Sequence, residues 1–260
     1  MKSGIKTFLL GIKLSVAENM AYRTSFFISL FIMFIFELLV PMVSILIYRS
    51  GVSFPGWTLY EVLLIQGAFI LAKGIAFPLF IGMFFNVMWS VRSGTFDVVL
   101  LRPRSVLFTM LVTSFNVIDF GKIFSGVLFL SIALSHLPVP SLSQWILFIM
   151  LIIISILLIV SFILLMCVYA IRFVGSNRVL GLIDPISQFG LYPKTIFVKP
   201  IRTITTNVIP VALIGFYPAS VLLGKDTQDL ILSALTAVCF ITVSLILWSR
   251  SIRKYTSAGG

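Results

Sequence analysis

Five ionisable residues interrupt stretches of the chain that are otherwise apolar: Glu37, Lys73, Asp119, Lys122 and Asp184. Placed inside a lipid bilayer, each costs about 2.5 to 3.5 kcal/mol on insertion scales, so a charge retained there relays protons, meets a polar solute or neutralises a second charge. Asp119 and Lys122 are three residues apart and share a helix face, where they can partly cancel. Glu37 and Lys73 fall on consecutive apolar runs and either pair across helices or snorkel to an interface. A proton relay needs several such groups converging at mid-depth.

Other reactive types are sparse. The single histidine, His136, precedes a proline-rich turn, and the two cysteines, Cys167 and Cys239, stand apart in separate apolar runs. With no CxxC and no His/Cys grouping, neither a metal centre nor a disulfide framework is expected, and no catalytic residue is assigned. The pairs Gly121-Lys122 and Gly224-Lys225 have no glycine five residues earlier and continue into Ile123 and Asp226, so neither is a phosphate-binding loop. No cofactor is expected in this chain. Its energy must come from a gradient or from another polypeptide.

One polar stretch has the composition of a handle. Residues 86–104 run Asn-Val-Met-Trp-Ser-Val-Arg-Ser-Gly-Thr-Phe-Asp-Val-Val-Leu-Leu-Arg-Pro-Arg, with Phe96, Val98 and Leu101 set among charges. A short amphipathic helix there would lie across the membrane surface and offer itself to a cytosolic partner. The plainer reading is a basic stop segment that only orients the chain.

The elements that must position these residues follow from composition. Of 260 residues, 60% are hydrophobic and 10% charged, against about half apolar and a quarter charged in soluble domains. A soluble globular or disordered chain is thereby excluded. The net charge of +11 fits either nucleic acid or an oriented membrane protein. Because no stripe or tail collects the basic residues, no nucleic-acid partner is expected.

Residues 123–171 carry no charge, yet as one helix they would greatly exceed a hydrocarbon core of about 30 Å. Pro138 and Pro140 break them at a turn over 136–144. An all-α polytopic fold is expected, one transmembrane domain over 1–260 with six spans at about 24–48, 62–88, 107–135, 145–171, 177–195 and 230–249. The span at 177–195 is broken by Gly and Pro. Residues 196–223 are expected to form re-entrant or interfacial helices on the outer side, tolerated only where protein buries their backbone. A single span over about 205–223 is the alternative.

With the N-terminus inside, twelve of the 19 basic residues face the cytoplasm: Lys2, Lys6, Lys13, Arg23, Arg92, Arg102, Arg104, Arg172, Arg178, Arg250, Arg253 and Lys254. Both termini are therefore expected to be cytoplasmic. Over residues 1–20, Ile5, Phe8, Leu9, Ile12 and Val16 share an arc beside Lys2, Lys6 and Lys13, the pattern of an interfacial helix. Lys6 and Lys13 interrupt the run too early for a signal peptide.

The string Gly94-x-x-Asp97-x-x-Leu100-x-Arg102-Pro103, followed by Tyr192-Pro193, Arg202, Thr205, Ile209-Pro210 and Tyr217-Pro218 before the last span, resembles the permeases of type-2 ATP-binding-cassette (ABC) exporters, in particular the prokaryotic six-span subfamily. Lys194 and Lys199 make the outer segment more basic than that pattern. The resemblance implies an N-terminal elbow helix and a coupling helix within 86–104, where Gly94, Phe96, Asp97, Leu100, Leu101, Arg102 and Pro103 transmit the action of separate cytosolic ABC ATPase subunits that bind ATP and Mg. It implies an outer gate at Tyr192, Pro193, Arg202, Pro210, Tyr217 and Pro218. It further implies a second permease chain, the same or similar, in a bacterial cytoplasmic (inner) membrane, with lipid around both. A gradient-driven transporter or channel without an ATPase is the alternative function.

Overall fold

A computed structural model describes residues 2–173, 185–225, 227 and 229–256, and all regular structure among them is helical. Ten helices are labelled here: α1 (Lys2–Ala21), α2 (Arg23–Arg49), α3 (Leu59–Arg92), α4 (Phe96–Leu100), α5 (Val106–Thr113), α6 (Gly121–Leu134), α7 (Leu142–Arg172), α8 (Lys199–Thr203), α9 (Phe216–Leu222) and α10 (Leu230–Arg253). Among the described residues, five stretches are long and apolar enough to cross a membrane: α2, α3, Val117–Leu134, α7 and α10. Their limits are chemical. Thr58 and Glu61 form a reciprocal capping box at the start of α3, and Ser141 and Gln144 do the same for α7 immediately after the two prolines. α2, α3 and α7 each end on an arginine, a cation at the negative end of the helix dipole.

The centre of the bundle is α3, whose 34 residues extend about 51 Å at 1.5 Å per residue, enough to carry both ends into the interfaces. It packs against α2, α6 and α7, and α10 packs against α7. α3 and α6 approach until their backbones touch. A Cβ at Gly74 would lie 2.8 Å from Ile123 N, and one at Gly126 would lie 2.7 Å from Leu71 N. Small residues permit such contact where lipid supplies no hydrophobic drive between helices. α2 and α10 leave most of their apolar surface uncovered by the chain.

The two ends of the bundle differ. At one end α1 packs on α5, and Phe96 of α4 meets Tyr255 just beyond α10, so residues 2 and 256 lie at a common end together with Arg92, Arg172, Arg250 and Arg253. At the other, Glu61 pairs with Lys225 and Tyr60 stacks on His136.

Three expectations are revised. The run 107–135 is not one helix: α5 stops at Thr113, and a 3-10 turn at Val117–Phe120 leads into α6. Of the run 177–195, residues 185–188 are helical but 189–195 turn into short 3-10 segments rather than continuing one helix, and the remainder lies outside the described residues. Residues 196–223 form α8, a π-turn at Ile204–Val208, a 3-10 turn at Val211–Leu213 and α9, and not the continuous helix weighed for 205–223. Proline at 200, 210 and 218 and glycine at 215 prevent longer helices there.

Candidate functional site

The intramembrane charges converge on one chamber. Both ion pairs offered by the sequence form: Lys73 Nζ lies 3.3 Å from Glu37 Oε1, linking α3 to α2, and Lys122 bonds Asp119 three residues before it. Asn116 donates to the other oxygen of Asp119 at 2.7 Å, and Lys122 Nζ is 3.8 Å from Met33 Sδ. The ring of Phe77 ties the two pairs together, since Lys73 and Lys122 lie 5.2 and 5.1 Å from its centroid. Lys73, Lys122, Asp119 and Asn116 line a cavity of about 500 Å³ whose other walls are mainly apolar residues of α3 and α7. Asp184, the fifth intramembrane candidate, lies outside the described residues.

The break between α5 and α6 builds the floor of this chamber. Interrupting a helix frees backbone groups that lipid cannot satisfy, and here polar side chains take them. Ser15 of α1 donates to Phe115 O at 2.8 Å and Asn86 to Thr113 O at 3.4 Å and to Ser114 Oγ at 2.8 Å, while the backbone itself supplies a further bond, Asn116 N to Pro78 O at 2.8 Å. Asn116 Oδ1 then caps the turn by accepting from Ile118 N at 3.2 Å. Beneath lies a second cavity of about 590 Å³, lined by Ser15, Glu18 and Asn19 of α1 and by the break. Gly82, Phe85 and Asn116 line both cavities. They therefore adjoin along α3, from the α1 end to mid-bundle.

Above the chamber sits the segment expected as an outer gate. Tyr217, Pro193, Pro210 and Pro218 are buried; Tyr192 and Arg202 are half-buried. Every residue of α9 is buried, wedged between α3 and α7. The wedge fits because Gly190 and Gly215 face each other. A Cβ on Gly215 would lie 2.6 Å from Gly190 O and 2.7 Å from Ile65 O. Ser155 of α7 donates to Leu213 O at 2.6 Å, and Ser233 of α10 donates to Thr206 O at 2.8 Å. The basic character of this segment is absorbed by aromatic rings: Lys194 lies over Phe216 and Tyr217, and Lys225 lies 5.0 Å from the Trp57 ring while pairing with Glu61 at 2.6 Å.

At the opposite end, the stretch 86–104 contains a short helix. Gly94 takes a left-handed backbone (φ 69°) that turns the chain out of α3 into α4. Phe96 is fully buried with its ring 5.0 Å from that of Tyr255, whereas Val98 is exposed and Leu101 is 85% exposed. α4 is thus anchored to the end of α10 on one side and presents apolar residues on the other. The following segment meets α1, where Gly4 lies against Arg104 and a Cβ on Gly11 would meet Val112 O of α5 at 2.6 Å. The face of α1 that packs on the chain is the small and polar one of Gly4, Gly11, Ser15 and Asn19, with Ile5, Leu9, Leu10 and Leu14 exposed. The expected apolar arc is accordingly divided, Phe8, Ile12 and Val16 being half-buried and Ile5 and Leu9 not.

Sequence reasoning missed Asn116, Asn86, Phe77 and Trp57. Only Asn116 carried a signal, because an asparagine three residues before an acid marks a helix start.

A family model described as ABC-2 family transporter protein matches residues 31–259 of the chain. No curated protein and no solved structure matches it.

Proposed function

The chain belongs to the ABC-2 transporter family, and from that premise we propose that it is the membrane-spanning permease of an ATP-driven exporter, powered by separate cytosolic ATPase subunits. One observation carries the reading: α4 is held by Phe96 on Tyr255 and shows Val98 and Leu101 to solvent at the basic end, which supports its use as a docking surface. A chain with no phosphate-binding loop needs such a surface to receive energy. Gly94, Asp97, Leu100, Arg102 and Pro103 complete this coupling helix, and α1, packed beside it on α5, is the elbow.

In this reading the basic end faces the cytoplasm of a bacterial cell, and both termini are inside. The return of the chain from Arg172 at the basic end to Leu230 at the other is the sixth crossing. A second permease chain, the same or similar, covers the apolar surfaces that α2 and α10 leave open, and lipid covers the rest. The segment from Tyr192 to Pro218 is the outer gate. ATP and Mg bind the ATPase partner.

Gentle detergent purification followed by native mass spectrometry tests this. The expected result is an ATPase retained by the wild-type chain and released by Leu101→Asp, with the variant still inserted. Transport by the purified chain alone in liposomes, driven by an ion gradient, would overturn the reading.

A further inference from the structure

We propose that the chamber between α2, α3, α6 and α7 binds the anionic head and first carbons of an amphiphile. The inference deepens the function above by giving the transported molecule a chemical class. It stands on features of a single chain.

The wall of the chamber has an uneven charge. Lys73, Lys122 and Asp119 line it, whereas Glu37, the partner of Lys73, does not. Among the described residues, two ammonium groups and one carboxylate therefore face the space. Both ammoniums line the chamber beside one ring, 5.2 and 5.1 Å from the Phe77 centroid, so an anionic group next to Phe77 comes within reach of an ammonium. Each ammonium has three donors, of which the contact to its ion-pair partner uses one. The charges are also dispensable as structural glue, because well-packed apolar pairs replace buried ion pairs at little or no cost.

Opposite the charges the wall is apolar, with Phe69, Ile159, Phe162 and Met166 among its residues. A volume of about 500 Å³ falls in the range of ligand pockets, about 300 to 1,000 Å³. It suits a small head and part of one alkyl chain. Access comes from the adjoining cavity under α1, through the shared wall of Gly82, Phe85 and Asn116. That places entry at the basic end and the head group at mid-bundle, beneath the segment that α9 wedges shut.

Dansylaminoundecanoate, whose fluorescence rises in apolar surroundings, tests the site when titrated into the full chain in phosphatidylcholine nanodiscs. The carboxylate is expected to bind at least tenfold more tightly than the corresponding neutral carboxamide. Glu37→Leu combined with Lys73→Met, and Asp119→Asn combined with Lys122→Met, should each weaken the carboxylate at least tenfold and leave the carboxamide unchanged. Equal affinity of the two probes for the wild-type chain overturns the proposal even if a variant fails to fold. So does full affinity in either folded double variant. Phosphatidylglycerol in the disc that competes with the probe identifies a membrane lipid as the occupant. Binding that persists against it identifies a free amphiphile, and both results uphold the site. Loss of ATPase docking by Leu101→Asp with probe binding intact separates this site from the coupling surface.

Discussion

The ammonium of Lys194 lies 5.1 Å from the centroid of the Tyr217 ring and donates to the Tyr217 hydroxyl at 3.4 Å, in a site where Lys194 is 5% exposed. The ring of Phe216 flanks the same ammonium at 5.6 Å, and Asp229 lies 3.9 Å from it. A lysine that the sequence marks only as part of an unusually basic outer segment is a strut between the 192–195 turns and α9.

Tyr217→Phe keeps one aromatic face and removes an acceptor from this buried cation. It is expected to lower stability by about 1 to 3 kcal/mol, the cost of leaving a buried polar group short of a partner. Adding Lys194→Met should recover most of the loss, because the group that needed the hydroxyl is gone. Thermal melts in detergent followed by circular dichroism give the cycle. Strict additivity of the two substitutions would show that the strut contributes nothing.

Glycine matters differently at two positions. Gly215→Ala drives a methyl into the carbonyls of Gly190 and Ile65, backbone on both sides, and should cost about 1 to 3 kcal/mol or more through overpacking. Gly51 has φ 85° and nothing within 4 Å of a new Cβ, so Gly51→Ala pays only the left-handed backbone penalty of about 1 to 2 kcal/mol. The melting point should fall further for Gly215→Ala, and its outer segment should become accessible to protease while that of Gly51→Ala stays protected. Equal behaviour would mean that α9 is not wedged in place.

Charge spacing made most of the helices legible. α2 is bounded by Arg23 and Arg49, α7 ends on Arg172, and Pro138 and Pro140 mark the turn before α7. Gly67, Gly74 and Gly82 recur every seven or eight residues along α3, and each faces backbone of the α5–α6 region. The break after Thr113 was hidden because no proline or glycine stands at 114–116. What sustains it is tertiary: Ser15 is 100 residues away and Asn86 is 28. The ion pairs were legible as partners, but the ring of Phe77 that unites them into one site was not, since an aromatic residue in an apolar run carries no mark of its neighbours.

The break itself is open to test at Asn116, which caps Ile118 N and donates to Asp119. Asn116→Leu removes both interactions and should cost about 1 to 2 kcal/mol, the usual range for losing an N-cap. Asn116→Ser retains a capping oxygen and should melt between the leucine variant and wild type. Asn116→Asp places a second carboxylate beside Asp119 and should be worse than serine despite being a good cap. Serine melting no higher than leucine would remove the cap from the account.

Docking and transmission at α4 are separable, because different faces of five residues serve them. Leu101 projects outward and makes no part of the core, so Leu101→Asp should shift stability by no more than about 0.5 kcal/mol while abolishing ATPase retention. Phe96 faces Tyr255 with rings 5.0 Å apart at an interplanar angle of 72°, an edge-to-face pair contributing about 0.5 to 1.5 kcal/mol beyond its buried area. Phe96→Leu or Tyr255→Leu should keep the docking face and retain the ATPase. Each should nevertheless reduce substrate-stimulated ATP hydrolysis in the reconstituted complex, since motion of α4 then reaches α10 through a looser contact. The two variants should be no worse in combination than singly for that stimulation, as expected for residues that act through one contact. Independent, multiplying losses would place the transmission route elsewhere on α4.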